Sequence, residues 1–186
     1  MQPFFDLSRD VVANRSVSNG NISGPQPLIQ GGSAADPASM GVPVLMAGWL
    51  GLHDQDFAGA AKDQLDFLLY KVPRTADGAI SHRVAELQLW SVFGELLPSI
   101  FHASHRSDFV YMVPPFLAYY GVIAQNETLL VEAYKQIKLY RSYLRDPFAK
   151  NLWKHIVLGS STGVTPKDEG YWATGEPRHL RDVITQ

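Results

Sequence analysis

The chain has 186 residues, a formal net charge of −2 at pH 7 and no cysteine. That length suits one domain. The charge leaves no basic footprint for nucleic acid or an anionic membrane, and the absence of cysteine excludes a disulfide framework or a thiolate site.

The first residues, Met1-Gln2-Pro3-Phe4-Phe5-Asp6, lack the basic start and apolar run of a signal peptide. Asn-x-Ser/Thr triplets stand at Asn14, Asn21 and Asn126. Such triplets arise often by chance, and the compartment stays open. Residues 1–34 are rich in Asn, Ser, Gly and Pro and sustain no period, so they read as an irregular arm.

Asp36-Pro37-Ala38-Ser39 opens a helix expected to run to about Gly51, with Asp36 as a favoured N-cap, Pro37 as its first residue and Pro43 kinking it or resetting its start. Asp54-Gln55-Asp56 caps the next helix. Phe57, Ala61, Leu65, Leu68 and Val72 share one face of it, Lys71 suits its last turn and Pro73 stops it. Asp77-Gly78 marks a turn. Residues 79–91 are ambiguous, although Val84, Leu87 and Ser91 permit a helix.

Residues 92–107 hold apolar residues without a clean period and a proline in the middle. Asp108-Phe109-Val110-Tyr111-Met112-Val113-Pro114-Pro115-Phe116 begins a helix that is apolar almost all round, which predicts burial on every side. It is shorter than the ~20 residues a membrane span requires. A short connection at residues 124–127 leads to the clearest helix, with Leu130, Ala133, Ile137, Tyr140 and Leu144 as its expected stripe. Short links between long helices make antiparallel neighbours. A further short helix is expected over residues 148–158, and the chain is turn-rich from Gly159. The fold class read from this pattern is all-α, built from antiparallel helical hairpins.

Several residues invite chemistry and also have ordinary readings. Gly159-Ser160-Ser161-Thr162-Gly163 fits the nucleophile-elbow spacing, but that motif needs a strand before it and a helix directly after, and neither is expected here. His102 and His105 stand three apart; a surface pair is the better reading than a zinc site. Asp36 and Asp108 each read alone as a helix cap, His82 and His155 as structural histidines, and Trp172 as packing.

Taken together these residues do more. Ser33-Ala34-Ala35-Asp36-Pro37-Ala38-Ser39, Val72-Pro73-Arg74-Thr75, Asp77-Gly78-Ala79-Ile80-Ser81-His82-Arg83, Leu89-Trp90-Ser91, the segment from Asp108 to Gly121, Trp153-Lys154-His155 and Trp172-Ala173-Thr174-Gly175 follow one another in order. In this the chain resembles glycoside hydrolase family 105, the unsaturated rhamnogalacturonyl hydrolases, and especially their fungal members, from about residue 20 to 175.

The resemblance implies a barrel of six helical hairpins, of which this length supplies part. It implies a sugar chain ending in a 4,5-unsaturated uronic acid as substrate, and hydration of the double bond as the reaction. It implies no metal and no organic cofactor. Carried over residue by residue, it makes Asp108 the general acid/base and Asp36 the second acid, which positions the water or tunes its partner. His82 and His155 become hydrogen-bonding partners of the sugar, Met112 a lining residue one turn after Asp108, and Trp172 an aromatic that packs on the sugar. Arg83 is assigned on chemical grounds to the uronate carboxylate, which a guanidinium can grip bidentately.

The chain departs from that pattern twice. In the family Trp-Ser runs straight into Asp-Phe-Val-Tyr-Met, whereas residues 92–107 intervene here, and they read as an insertion translated from an intron. After Trp172-Ala173-Thr174-Gly175, the divergent tail 176–186 takes over. The domain reading is therefore an arm over 1–34, a partial hairpin domain over 35–175 and a tail. Two functional readings follow: a working hydrolase, or an inactive truncated family member whose exposed apolar helix faces favour association.

Overall fold

The structure, a computed structural model, describes residues 2–18, 24–91, 109–148, 152–154 and 156–159. Among them it is predominantly helical. The elements are α1 (Gln2–Ser18), α2 (Ala35–Trp49), α3 (Phe57–Tyr70), β1 (Leu89–Trp90), α4 (Phe109–Ile123), α5 (Glu127–Leu144), β2 (Arg145–Asp146), β3 (Leu152–Trp153) and β4 (Ile156–Val157). The class is all-α. Helices α2 and α3 form one hairpin and α4 and α5 a second, and α2 packs on α4 to join them.

Local signals account for much of this. Asp56 Oδ1 accepts the Gly59 N–H at 2.8 Å and caps α3. The α3 face expected from periodicity is the one buried: Phe57, Ala61, Leu65 and Leu68, followed by Val72. Asn126 caps α5 through the Thr128 N–H at 3.1 Å. Helix α2 runs through Pro43 without interruption.

Two core clusters lie between the helices. One gathers Leu65, Leu68, Ile80, Leu89, Phe109, Met112, Phe116, Tyr140 and Leu144 among others. The other sits under α1 and includes Val11, Leu28, Leu45 and Phe57. The α2–α4 contact depends on Gly41. A Cβ there would stand 2.6 Å from the Phe116 ring, so only hydrogen lets the two helices approach this closely.

Several expectations are corrected. The stretch assigned to an irregular arm contains α1. Its apolar period is weak, and its docking is nonlocal: Arg9 Nε donates to Asp54 at 2.6 Å, Arg15 Nη2 to Asp63 at 2.5 Å, and Gln55 Nε2 to the Arg9 carbonyl at 3.1 Å. Residues 79–91 are not helical. They run as bridged, extended chain, with Ser33 paired to Arg83 and Arg74 to Ile80, and end in β1, which pairs antiparallel with β4.

Among the described residues of 148–158 the expected short helix is absent. Its described residues are a turn and two-residue strands, because β3 pairs with β2 and β4 with β1. Helix α4 is not buried on every side. Phe109, Met112, Val113, Phe116 and Leu117 are buried, while Tyr111 (67% exposed) and Val122 (65% exposed) face outward.

The buried stripe of α5 is also shifted. It is Leu129, Ala133, Gln136, Tyr140 and Leu144, and Leu130 and Ile137 are exposed. Gln136 displaces Ile137 from the core because its amide has partners there. Its Oε1 accepts the Ile80 N–H at 2.9 Å, and its Nε2 donates to the Gly78 carbonyl and to Glu132, each at 2.8 Å. No helix among the described residues is long and apolar enough to cross a membrane.

Candidate active site

Three of the site residues that the structure describes, Asp36, His82 and Arg83, gather where the start of α2 meets the extended segment 79–91. The turn before that segment is built first. Gly78 takes the left-handed conformation (φ +98°), which glycine adopts without the steric cost other residues meet. Thr75 donates its hydroxyl to Asp77, and Tyr143 O–H donates to the same carboxylate at 2.9 Å. These donors, Thr75 foremost, hold the Asp77 carboxyl below its ordinary value. Arg74 Nη1 donates to the Gly78 carbonyl at 3.1 Å and to Glu132 at 2.8 Å.

From the turn the chain passes over α5. Gln136 takes the Ile80 N–H, and Tyr140 O–H donates to the Ile80 carbonyl at 2.7 Å. Both backbone groups of a fully buried residue are thereby matched to α5 side chains. Next comes Ser81, also buried, whose Oγ donates to the Glu86 carbonyl and accepts the N–H of Arg83 and of Gln88. It closes the loop that carries His82 and Arg83.

His82 is 5% exposed, and its N–H donates to the Gln88 carbonyl at 2.7 Å. Its imidazole stacks on the Trp90 indole, centroids 4.7 Å apart and planes within 2°. The Arg83 guanidinium carbon lies 5.6 Å from the Trp90 ring centroid, a cation–π arrangement. Gly32 lies beside it in the left-handed conformation (φ +73°), and a Cβ there would meet Arg83 Nη2 at an ordinary contact distance of 3.4 Å. Trp90 is itself oriented by donating Nε1–H to Gln88 Oε1 at 3.0 Å.

The segment before α2 is pinned to this loop by two backbone bonds. Ala34 N–H donates to the His82 carbonyl at 2.7 Å, and Val84 N–H to the Gly32 carbonyl at 3.0 Å. Asp36, two residues past Ala34, is thus brought to the His82–Arg83 loop from 46 positions away in the chain. Asp36 is not the helix cap that its position in the sequence suggested. The N-cap position is Ala34, which has no polar side chain to cap with, and Ser33 Oγ, one residue before it, accepts the Asp36 N–H at 3.1 Å and satisfies that first-turn donor. The Asp36 side chain lies exposed in the first turn of α2, and among the described residues no donor bonds its carboxylate.

Met112 lies on α4, 6% exposed, in the same core cluster as Ala34, Ile80, Leu89 and Phe109. Asp108, His155 and Trp172 lie outside the described residues. So do His102, His105, Ser161 and the rest of the Gly-x-Ser-x-Gly spacing after Gly159, the insertion 92–107 and the tail. The chain neighbours of His155 are placed: Ile156 pairs with Trp90, and the Lys154 carbonyl accepts the Ser91 hydroxyl at 2.8 Å. No group of three or more His, Cys, Asp or Glu side chains among the described residues is arranged to hold a metal ion.

Three residues escaped the sequence reading as parts of the site. Trp90 carried the resemblance only as motif. Ser33 was hidden behind the better-known cap preference of Asp36. Gln136 sits one position from the expected stripe, and a polar residue beside a core face is the one signal that could have exposed it.

The arrangement offers an exposed carboxylate at a helix start, a stacked imidazole and indole, and a guanidinium over the same indole. An aromatic face beside polar donors suits a sugar ring, and a guanidinium suits a carboxylate. Comparison with curated proteins gives no match, and comparison with solved structures gives none. A family model described as Glycosyl Hydrolase Family 88 matches residues 6–176, nearly the whole chain and every element described above except the start of α1. The chain belongs to glycosyl hydrolase family 88, and with it to the six-hairpin glycosidases.

Proposed function

We propose that the chain is an unsaturated rhamnogalacturonyl hydrolase of the family 105 type, with its nearest resemblance to fungal members, acting on products of pectin lyase cleavage. The reaction is hydration of the 4,5 double bond in a terminal unsaturated uronic acid. A proton is delivered to one alkene carbon while water, losing its own proton, attacks the neighbour. The hydrated sugar is unstable, opens, and releases its partner.

One carboxylic acid can serve both proton transfers when burial raises its pKa toward neutrality. Asp108 is assigned that role and Asp36 the positioning of the water. His82 and His155 hydrogen-bond the sugar, Met112 lines the same face, Trp172 packs on the ring and Arg83 grips the uronate. The observation that carries the reading is the pinning of the Asp36 segment to the His82–Arg83 loop, with the Asp36 carboxylate released from capping by Ser33. Family membership supports the same chemistry.

The test is the loss of ultraviolet absorbance from an unsaturated rhamnogalacturonan disaccharide. The full chain is compared with its Asp108→Asn variant. Loss with the parent alone is the expected result. No loss from a folded parent chain, or equal loss from both, overturns the reading.

A further inference from the structure

We propose that Tyr140, buried in the middle of α5 and remote from any sugar contact assigned above, is a positioning residue for the His82–Arg83 loop. The inference rests on the reading that this loop binds substrate.

Tyr140 is fully buried, and two of its contacts, of different kinds, bear on the site. Its ring stacks on Phe109, centroids 4.0 Å apart and planes within 6°. Its O–H donates to the Ile80 carbonyl at 2.7 Å. Phe109 is the first residue of α4 and directly follows Asp108 in the chain, and Ile80 stands two residues before His82. One side chain therefore touches the start of the helix assigned to proton transfer and the backbone of the loop assigned to binding.

The loop's own bonds run mainly through Ser81 and Gln88, after Ile80 in the chain. Between Thr75 and Trp90 no helix supports it, and its regular pairing is limited to the Arg74–Ile80 and Ser33–Arg83 bridges and the short β1 strand. Gln136 fixes the Ile80 N–H one turn before Tyr140 on α5, so Tyr140 supplies the second of two side-chain anchors. The Ser81 N–H end of the peptide after Ile80 donates to the Pro73 carbonyl at 2.8 Å, so without Tyr140 it is the Ile80 carbonyl end that loses its side-chain partner and can tilt about that bond. That tilt reaches the His82 ring and the Ala34 bond that ties the Asp36 segment to it. Small displacements of binding groups carry large rate penalties. Removal of the hydroxyl alone leaves the ring stack on Phe109 in place, so Tyr140→Phe removes the Ile80 bond and keeps the stack.

The experiment uses the full chain in four forms: parent, Tyr140→Phe, His82→Ala and the double variant. Tyr134→Phe, an exposed position on the same helix, serves as the control. Two readings are taken. The first is kcat/KM on the unsaturated rhamnogalacturonan disaccharide. Tyr140→Phe is expected to lower it by about ten- to a hundredfold, and to lower it less than about twofold once His82 is alanine, because residues acting through one another are not additive. The second is amide hydrogen exchange. The Ser81, His82 and Ala34 amides are expected to exchange roughly tenfold faster in Tyr140→Phe while α3 amides are unchanged.

Equal fold-losses in both backgrounds, or unchanged exchange in the loop, overturn the proposal, since a merely structural tyrosine would add its penalty regardless of His82. An inactive parent chain overturns the functional reading instead. The exchange result then decides by itself whether Tyr140 holds the loop.

Discussion

Ser33 Oγ accepts the backbone N–H of Asp36 at 3.1 Å, so the serine, just before the Ala34 N-cap, satisfies a first-turn donor of α2 and the aspartate is left with an exposed carboxylate in that turn. The two residues therefore separate stability from activity. Ser33→Ala is expected to cost about 1 kcal/mol of stability, the usual worth of a cap. Asp36→Asn loses only the favourable placement of an acid at a helix start, about 0.3–1 kcal/mol, yet should lower turnover on the unsaturated disaccharide by about a hundredfold if it positions the attacking water. Thermal melts beside initial rates check both. A larger melting shift for Asp36→Asn than for Ser33→Ala would return the aspartate to a capping role.

Gly41 faces the Phe116 ring where α2 crosses α4. Alanine there would bring its Cβ to 2.6 Å from a fully buried aromatic carbon. One of the two helices must shift, which costs roughly 1–3 kcal/mol for an overpacked core. At this chain length each kcal/mol lowers the melting temperature by about 2–4 °C. Calorimetry of Gly41→Ala measures it directly.

Gln136 is fully buried and gives the Ile80 N–H its partner. Gln136→Leu fits the space but leaves that N–H without an acceptor, an expected loss of about 1–3 kcal/mol. The Gly78 carbonyl keeps Arg74 as a donor, so the damage should localise at Ile80. Denaturant melts give the magnitude, and amide exchange at Ile80 gives the place. A neutral or stabilising result would show that leucine packing outweighs the lost bond.

Asp77 supplies a pH dependence whose sign is fixed. Its folded carboxyl is held below the ordinary 3.8, chiefly by the Thr75 hydroxyl and also by Tyr143. The charged form is favoured by folding, so the contribution is fully present above the unfolded value and is lost as pH falls through the lower folded value. Asp77→Asn should therefore melt below the parent at pH 7, and the gap should close in strongly acid solution. The side chain is exposed, so the effect will be small. Paired melts at neutral and acid pH read it, and a gap that widens in acid would contradict the assignment.

The helices that the sequence placed correctly are those specified by neighbours within a few positions. Asp56 caps α3 as its spacing implied, and Phe57, Ala61, Leu65 and Leu68 line the buried face that periodicity drew. The all-α class and the paired long helices follow from the same short-range signals. Helix α1 escaped because its weak apolar period is supplemented by ion pairs to Asp54 and Asp63, residues 45 and 48 positions away.

The site divides the same way. Sequence motifs drew attention to Asp36, His82, Arg83 and Met112, but residue order alone does not say which segments touch. The Ala34–His82 bond, the His82–Trp90 stack and the hold of Gln136 and Tyr140 on Ile80 are tertiary facts. They turned a stretch whose spacing permitted a helix into extended chain, and moved the buried face of α5 by one position at Gln136. A buried backbone N–H or carbonyl must find a partner somewhere. For Ile80 that partner lies more than fifty residues away on α5, at a separation where no local period or cap can encode it.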